Sequence, residues 1–190
     1  MAKTLLDRHA EALRLFGERL RAVGDGQWDA PTPCSEWTVR DLVDHVTGEQ
    51  LWVPPLVAEG RTVEEVGDAF SGDVLGEDPV AAWETASAAA HAAFAAPGAL
   101  DRTVRLSQGP AEGSAYCADL ITDCAVHAWD LARAVGVDDR LPQDLVAFAA
   151  ERVAPHADEL AASGMFAAPV EVPAGADAQT ALLGLMGRRA

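Results

Sequence analysis

With 190 residues, 49% hydrophobic and 23% charged, the chain is long enough for one well-buried core and short for two, so a single domain over 1–190 is expected. Fourteen basic against 30 acidic residues leave a formal charge of −16, which repels phosphate backbones and anionic membrane surfaces and excludes nucleic acid and membranes from the expected partners. No apolar run approaches the roughly 20 residues of a membrane span, and "MAKTLLDRHAEALRLF" lacks the pattern of a secretory signal, so a cytoplasmic protein is expected.

In chain order, apolar residues at Leu5, Leu6, Leu13, Phe16, Leu20 and Val23 predict a first helix over 4–23, closed by "GDG". After the loop "WDAPTPCSEW", Thr38 and Asp41 form an [ST]xx[DE] start, and Val39, Leu42, Val43 and Val46 carry a second helix to about Leu51. "WVPPL" is expected to break it, and 60–78, rich in glycine and acid, reads as an irregular crossover. A third helix follows Pro79, with a stripe of Val80, Trp83, Ser87, Ala90 and Phe94, and ends at "APGALD". "TVRLS" (103–107) alternates as a short strand, and "GPAEG" reads as a turn into a helix over roughly 114–135. A fifth helix is expected from Pro142 to about Ser163, then a short strand at "APVEVP" and a terminal helix on "AQTALLGLMG". The sum is an all-α four-helix bundle with a long crossover, short strand segments and a C-terminal extension. Such bundles build cofactor sites from inward-facing side chains on different helices.

The 114–135 helix contains "DCAVHAWDLARAVG", in which Asp123 and His127 stand four apart beside a stripe of Leu120, Cys124, Ala128, Leu131 and Val135. Residues at this spacing share a face, so one carboxylate and one imidazole can reach the same divalent ion. A third ligand must come from another helix, and His45 is the only histidine on the second one. Neutral imidazole and carboxylate suit zinc, with nickel and iron as alternatives, and three protein ligands leave positions open. On spacing alone, the Asp–His pair also reads as a plain surface hydrogen bond. The three cysteines, Cys34, Cys117 and Cys124, form no CxxC pair and read as small buried residues.

"WDAPTPCSEWTVRDLVDHVTGE" (28–49) together with "VHAWDLARAVG" (126–136) resembles the metal-binding branch of the DinB-like superfamily that includes the N-terminal domain of mycothiol-dependent maleylpyruvate isomerase. The likeness continues through "GDVLGEDPVAAW", "APGALDRTV" and "VEVPAGADAQTALLGLMG". It implies a DinB-like four-helix bundle holding one divalent metal through His45, Asp123 and His127, and an actinobacterial-type thiol chemistry. Two departures qualify it. Asp123 stands where the isomerase has glutamate, one methylene longer, and the isomerase's additional C-terminal domain is not matched, so activity on maleylpyruvate itself is not implied.

The other candidates read more plainly. His9 lies in the first helix's apolar stripe, either as a hydrogen-bonded core histidine or as a pocket residue near the metal. Glu49, one turn after His45, is a pocket acid or proton carrier, or else a solvated acid at a helix end. Asp130 reads as a structural hydrogen-bond partner, Trp37, Trp52 and Trp129 as core residues that can also wall a pocket, and His91 and His156 as structural or surface. The catalytic group is left open between a metal-bound thiol and water. The resulting expectation is a metal-dependent thiol transferase or isomerase, monomeric or homodimeric, using a low-molecular-weight thiol such as mycothiol on an electrophilic small molecule. The alternative is a non-catalytic metal-containing protein that binds or senses a small molecule.

Overall fold

The computed structural model describes residues 3–157 and 167–190. Residues 1–138 form one compact unit and 139–190 a second.

In the first unit, α1 (Leu5–Leu20) starts at Thr4, whose hydroxyl accepts from the Asp7 amide while Asp7 returns a bond to the Thr4 amide. This reciprocal cap satisfies amides that a helix start leaves orphaned. The same device at Thr38 and Asp41 begins α2 (Val39–Val53), as the motif predicts. The expected break at "WVPPL" does not occur there. The helix passes into a π-helical turn over Pro54–Ala58, in which the Glu59 amide donates to the Pro54 carbonyl at 3.2 Å. Widening the turn lets the chain run through two residues that carry no amide hydrogen.

The crossover contains one short helix, α3 (Val63–Val66), and is fastened to α2 by Arg40 to Asp73 (2.7 Å) and by the Val74 amide to Asp44 (2.8 Å). Proline at the first turn opens α4 (Pro79–Ala95). Strand β1 (Thr103–Leu106) matches the alternating stretch. "GPAE", expected as a turn, is instead its antiparallel partner β2 (Gly109–Glu112), with Leu106 opposite Gly109 across a two-residue connection. Then comes α5 (Gly113–Val135).

Helices α1, α5, α2 and α4 close a ring in that order, each touching the next. Phe16, Leu20, Leu42, Val46, Trp83, Phe94, Ile121 and Leu131 fill the interior. Alanines at 86, 90 and 93 keep α4 thin where it packs. This is the all-α four-helix arrangement the periodicities imply.

Gly113, at the junction of β2 and α5, has no room for a side chain: a Cβ there would strike the carbonyl oxygen of Ala99. Because the obstacle is backbone, Gly113→Ala is expected to destabilise the protein by at least about 2 kcal/mol, read as a lowered urea midpoint at unchanged slope. An unchanged midpoint would remove this packing argument.

The second unit contains α6 (Gln143–Val153) and α7 (Ala178–Leu185), which pack on each other. Gln179 of α7 fastens the segment just before α6 by accepting from the Leu141 amide (2.8 Å) and donating to the Asp139 carbonyl (3.2 Å). The end expected for the fifth helix, near Ser163, lies outside the described residues. "APVEVP" is not a strand. Its Val170 amide donates to the Gly184 carbonyl, and with no partner strand among the described residues the alternation builds no ladder.

Candidate metal centre

Helix α5 carries Asp123 and His127 on one face because four residues bring the helix round to nearly the same direction. His127 Nε2 lies 3.3 Å from one Asp123 oxygen, and His45 Nε2, from α2, lies 3.7 Å from the other. One ligand atom from each of the three residues falls within 4.8 Å of the other two. The residues singled out from spacing and resemblance are therefore neighbours in the fold.

Their exposure is graded. The His127 side chain is 6% exposed, Asp123 20% and His45 33%, so the cluster is open on the α2 side and closed on the α5 side. Burial works against ionisation of Asp123, but the adjacent imidazoles of His127 and His45 override it and hold the carboxyl well below its ordinary range. Burial also resists charge on His127, and Asp123 overrides this in turn, raising its proton affinity. Two basic nitrogens thus face an anionic carboxylate, a donor set suited to a borderline divalent cation.

The other ring nitrogen of His127 is engaged as well. Asp130, fully buried, places a carboxylate oxygen 3.0 Å from His127 Nδ1. A carboxylate there fixes the ring orientation and leaves Nε2 directed at Asp123. This agrees with the hydrogen-bonding role expected for Asp130.

Glu49, one turn beyond His45 on α2, belongs to the same neighbourhood. Burial raises its pKa, the negative charge of Asp123 adds to the rise, and His45 and His127 partly offset it. Trp37 packs over both imidazoles, with ring centres 4.7 Å from His45 and 5.7 Å from His127. Trp52 instead meets Phe70, and Trp129 is core, with Arg133 over its ring.

His9 joins a different group. It is fully buried, its Nδ1 lies 3.2 Å from Nδ1 of His91, and its ring is edge-on to Phe94. His91, itself half-buried, is therefore the partner of a buried histidine, and His156 is exposed on the second unit.

One residue near the site carried no signal in the sequence. Cys34, read as a small buried residue, is half-buried, with Sγ 3.2 Å from Asp130 and 3.7 Å from His127 Nδ1. Its partners on α5 are more than ninety positions away in sequence, beyond any local spacing rule.

Among the described residues, no helix is long and apolar enough to cross a membrane. Residues 9–132 match the family model of the mycothiol maleylpyruvate isomerase N-terminal domain. Two uncharacterized proteins of Mycobacterium tuberculosis, one from strain CDC 1551 and one from strain H37Rv, are each 37% identical over 146 residues, 77% of this chain and 74% of theirs. Crystal structures of the mycothiol-dependent maleylpyruvate isomerase and of a point mutant of it superpose with TM-scores of 0.62 and 0.63 at 16% and 17% identity, covering 78% of this chain and 68% of those. At that identity, the superposition shows a shared fold. Taken with the bundle itself, the match over 9–132 places this chain in the family of the mycothiol maleylpyruvate isomerase N-terminal domain.

Proposed function

We propose that the chain is a divalent-metal-dependent enzyme of the thiol-dependent transferase or isomerase type. It acts on an electrophilic small molecule, with a low-molecular-weight thiol such as mycothiol as cosubstrate. The carrying observation is the convergence of His45, Asp123 and His127 within 4.8 Å from two helices. The family's thiol-dependent member supports the choice of cosubstrate.

The ligands to the ion are His45 Nε2, His127 Nε2 and the Asp123 carboxylate, and zinc suits this set best, with nickel and iron as alternatives. When bound, such an ion lowers the pKa of a thiol toward neutrality and polarises a carbonyl. The rest falls to the protein's own groups. Asp130 holds the His127 ring, Trp37 covers one side of the two imidazoles with an apolar surface, and Glu49 can hold a proton beside the reacting groups.

With Co(II) in the protein, adding a low-molecular-weight thiol is expected to increase sulfur-to-cobalt absorption, while an alcohol of equal size leaves the spectrum unchanged. His45→Ala abolishes the response and His156→Ala preserves it. Silence toward several physiological thiols at millimolar concentration would sink the thiol chemistry and favour a metal-containing binding protein without turnover.

The shortened acid gives a second check. Asp123→Asn removes a negative charge at constant size and is expected to weaken metal affinity at least about tenfold, whereas Asp123→Glu is tolerated better. Equal affinity in wild type and Asp123→Asn would reduce Asp123 to a bystander.

A further inference from the structure

We propose that His127 faces a second divalent-metal site through its other ring nitrogen, formed by Cys34 Sγ, His127 Nδ1 and Asp130 Oδ2. The site shares His127 with the centre proposed above and depends on that reading only there.

The geometry is that of a coordination triangle. The three edges measure 3.2 Å from sulfur to carboxylate, 3.0 Å from carboxylate to imidazole and 3.7 Å from sulfur to imidazole. A tetrahedral ion with bonds of about 2.3 Å to sulfur and about 2.0 Å to nitrogen and oxygen spaces its ligands at roughly 3.3–3.6 Å. Each observed edge is within about 0.4 Å of that span, so small side-chain movements close the triangle on an ion. A thiol is a weak hydrogen-bond donor but, as thiolate, a strong ligand, so its place beside a buried carboxylate and an imidazole has more effect in coordination.

The loop holds Cys34 in place. Pro31 bridges to Thr38, the Thr32 amide donates to the Trp37 carbonyl (3.1 Å), and the Trp37 amide donates to the Cys34 carbonyl (3.1 Å). The Thr32 hydroxyl accepts from the Cys34 amide at 3.2 Å and donates to the Trp37 carbonyl at 3.0 Å. The sulfur is thus presented by a pinned turn to two ligands fixed on α5. Cys117 and Cys124 are buried on α5, while Cys34 is only half-buried.

The ligand class follows from the donors. One sulfur, one nitrogen and one oxygen select zinc or cobalt over magnesium or calcium. Binding releases the Cys34 thiol proton and the proton that His127 Nδ1 shares with Asp130 to solvent. If the His45 centre is also filled, the remaining imidazole proton of His127 is released too, and no electrons are exchanged.

The test is a Co(II) titration of the wild-type, His45→Ala and Cys34→Ser proteins, with no low-molecular-weight thiol present. Sulfur-to-cobalt absorption is expected in the wild type and in His45→Ala, where it saturates at one equivalent, and it is expected to be absent from Cys34→Ser. The thiol response of the His45 centre is then read in Cys34→Ser, which keeps that centre's three ligands, so the two readings fail separately. Absence of the band from both the wild type and His45→Ala would overturn the second site, whatever the folding of the variants. So would a band that persists in Cys34→Ser.

Discussion

Replacing His127 with alanine is expected to reduce divalent-ion affinity by more than about 100-fold, because in the proposed centre the change removes a direct ligand where loss of an outer partner alone costs about 10- to 100-fold. The ring supplies Nε2 to the His45–Asp123 side and Nδ1 to the Cys34–Asp130 side, so a single substitution removes a donor from both. His45→Ala, by contrast, removes only the first, and His156→Ala neither. Metal content after gel filtration, measured on untagged protein, checks all three. Full occupancy in both His45→Ala and His127→Ala would falsify the assignment of these residues as ligands.

The second large effect is an acid-dependent loss of stability centred on His9. Burial, reinforced by His91, lowers its pKa from 6.5 to about 4, with Gln50 opposing weakly. A histidine held neutral in the fold binds fewer protons than it does in the unfolded chain between these values. Its contribution is therefore present above the unfolded pKa and lost as pH falls from 6.5 toward 4. At about 1.4 kcal/mol per pKa unit, the loss approaches 3 kcal/mol. Glu49 acts in the opposite sense, since its raised pKa favours the fold at lower pH. The quantity to measure is thus the difference between the wild type and His9→Gln in urea-unfolding free energy, from pH 7 to pH 4. That difference is expected to shrink as pH falls, and parallel profiles would show that His9 does not control acid stability.

Much of this architecture was legible because its causes are local. The capping pairs Thr4–Asp7 and Thr38–Asp41 announce helix starts in four residues, and the i, i+4 placement of Asp123 and His127 follows from helical geometry alone. What escaped depends on partners distant in sequence. "GPAE" has turn composition but becomes a strand because β1 supplies its hydrogen bonds, and "APVEVP" alternates correctly but has no such neighbour among the described residues. Cys34 sits in a proline-flanked loop with nothing nearby to mark it, and its significance comes from Asp130 and His127 on α5. His91 likewise has no acidic partner at helical spacing, because its partner is His9 on another helix.

Seventeen of the twenty-three residues of α5 are buried, including His127 and Asp130. A helix enclosed on so many sides opens only with the whole unit, so its amides should be among the slowest to exchange with deuterated solvent. His45 stands on α2 and is the most exposed of the three proposed ligands. Local opening should therefore detach His45 first, while the Asp123–His127 pair and its Asp130 support stay assembled on their own helix. For the metal centre proposed above, capture and release would then reduce to a small motion of α2 against a standing half-site, and added divalent ion is expected to slow exchange in α2 far more than in α5.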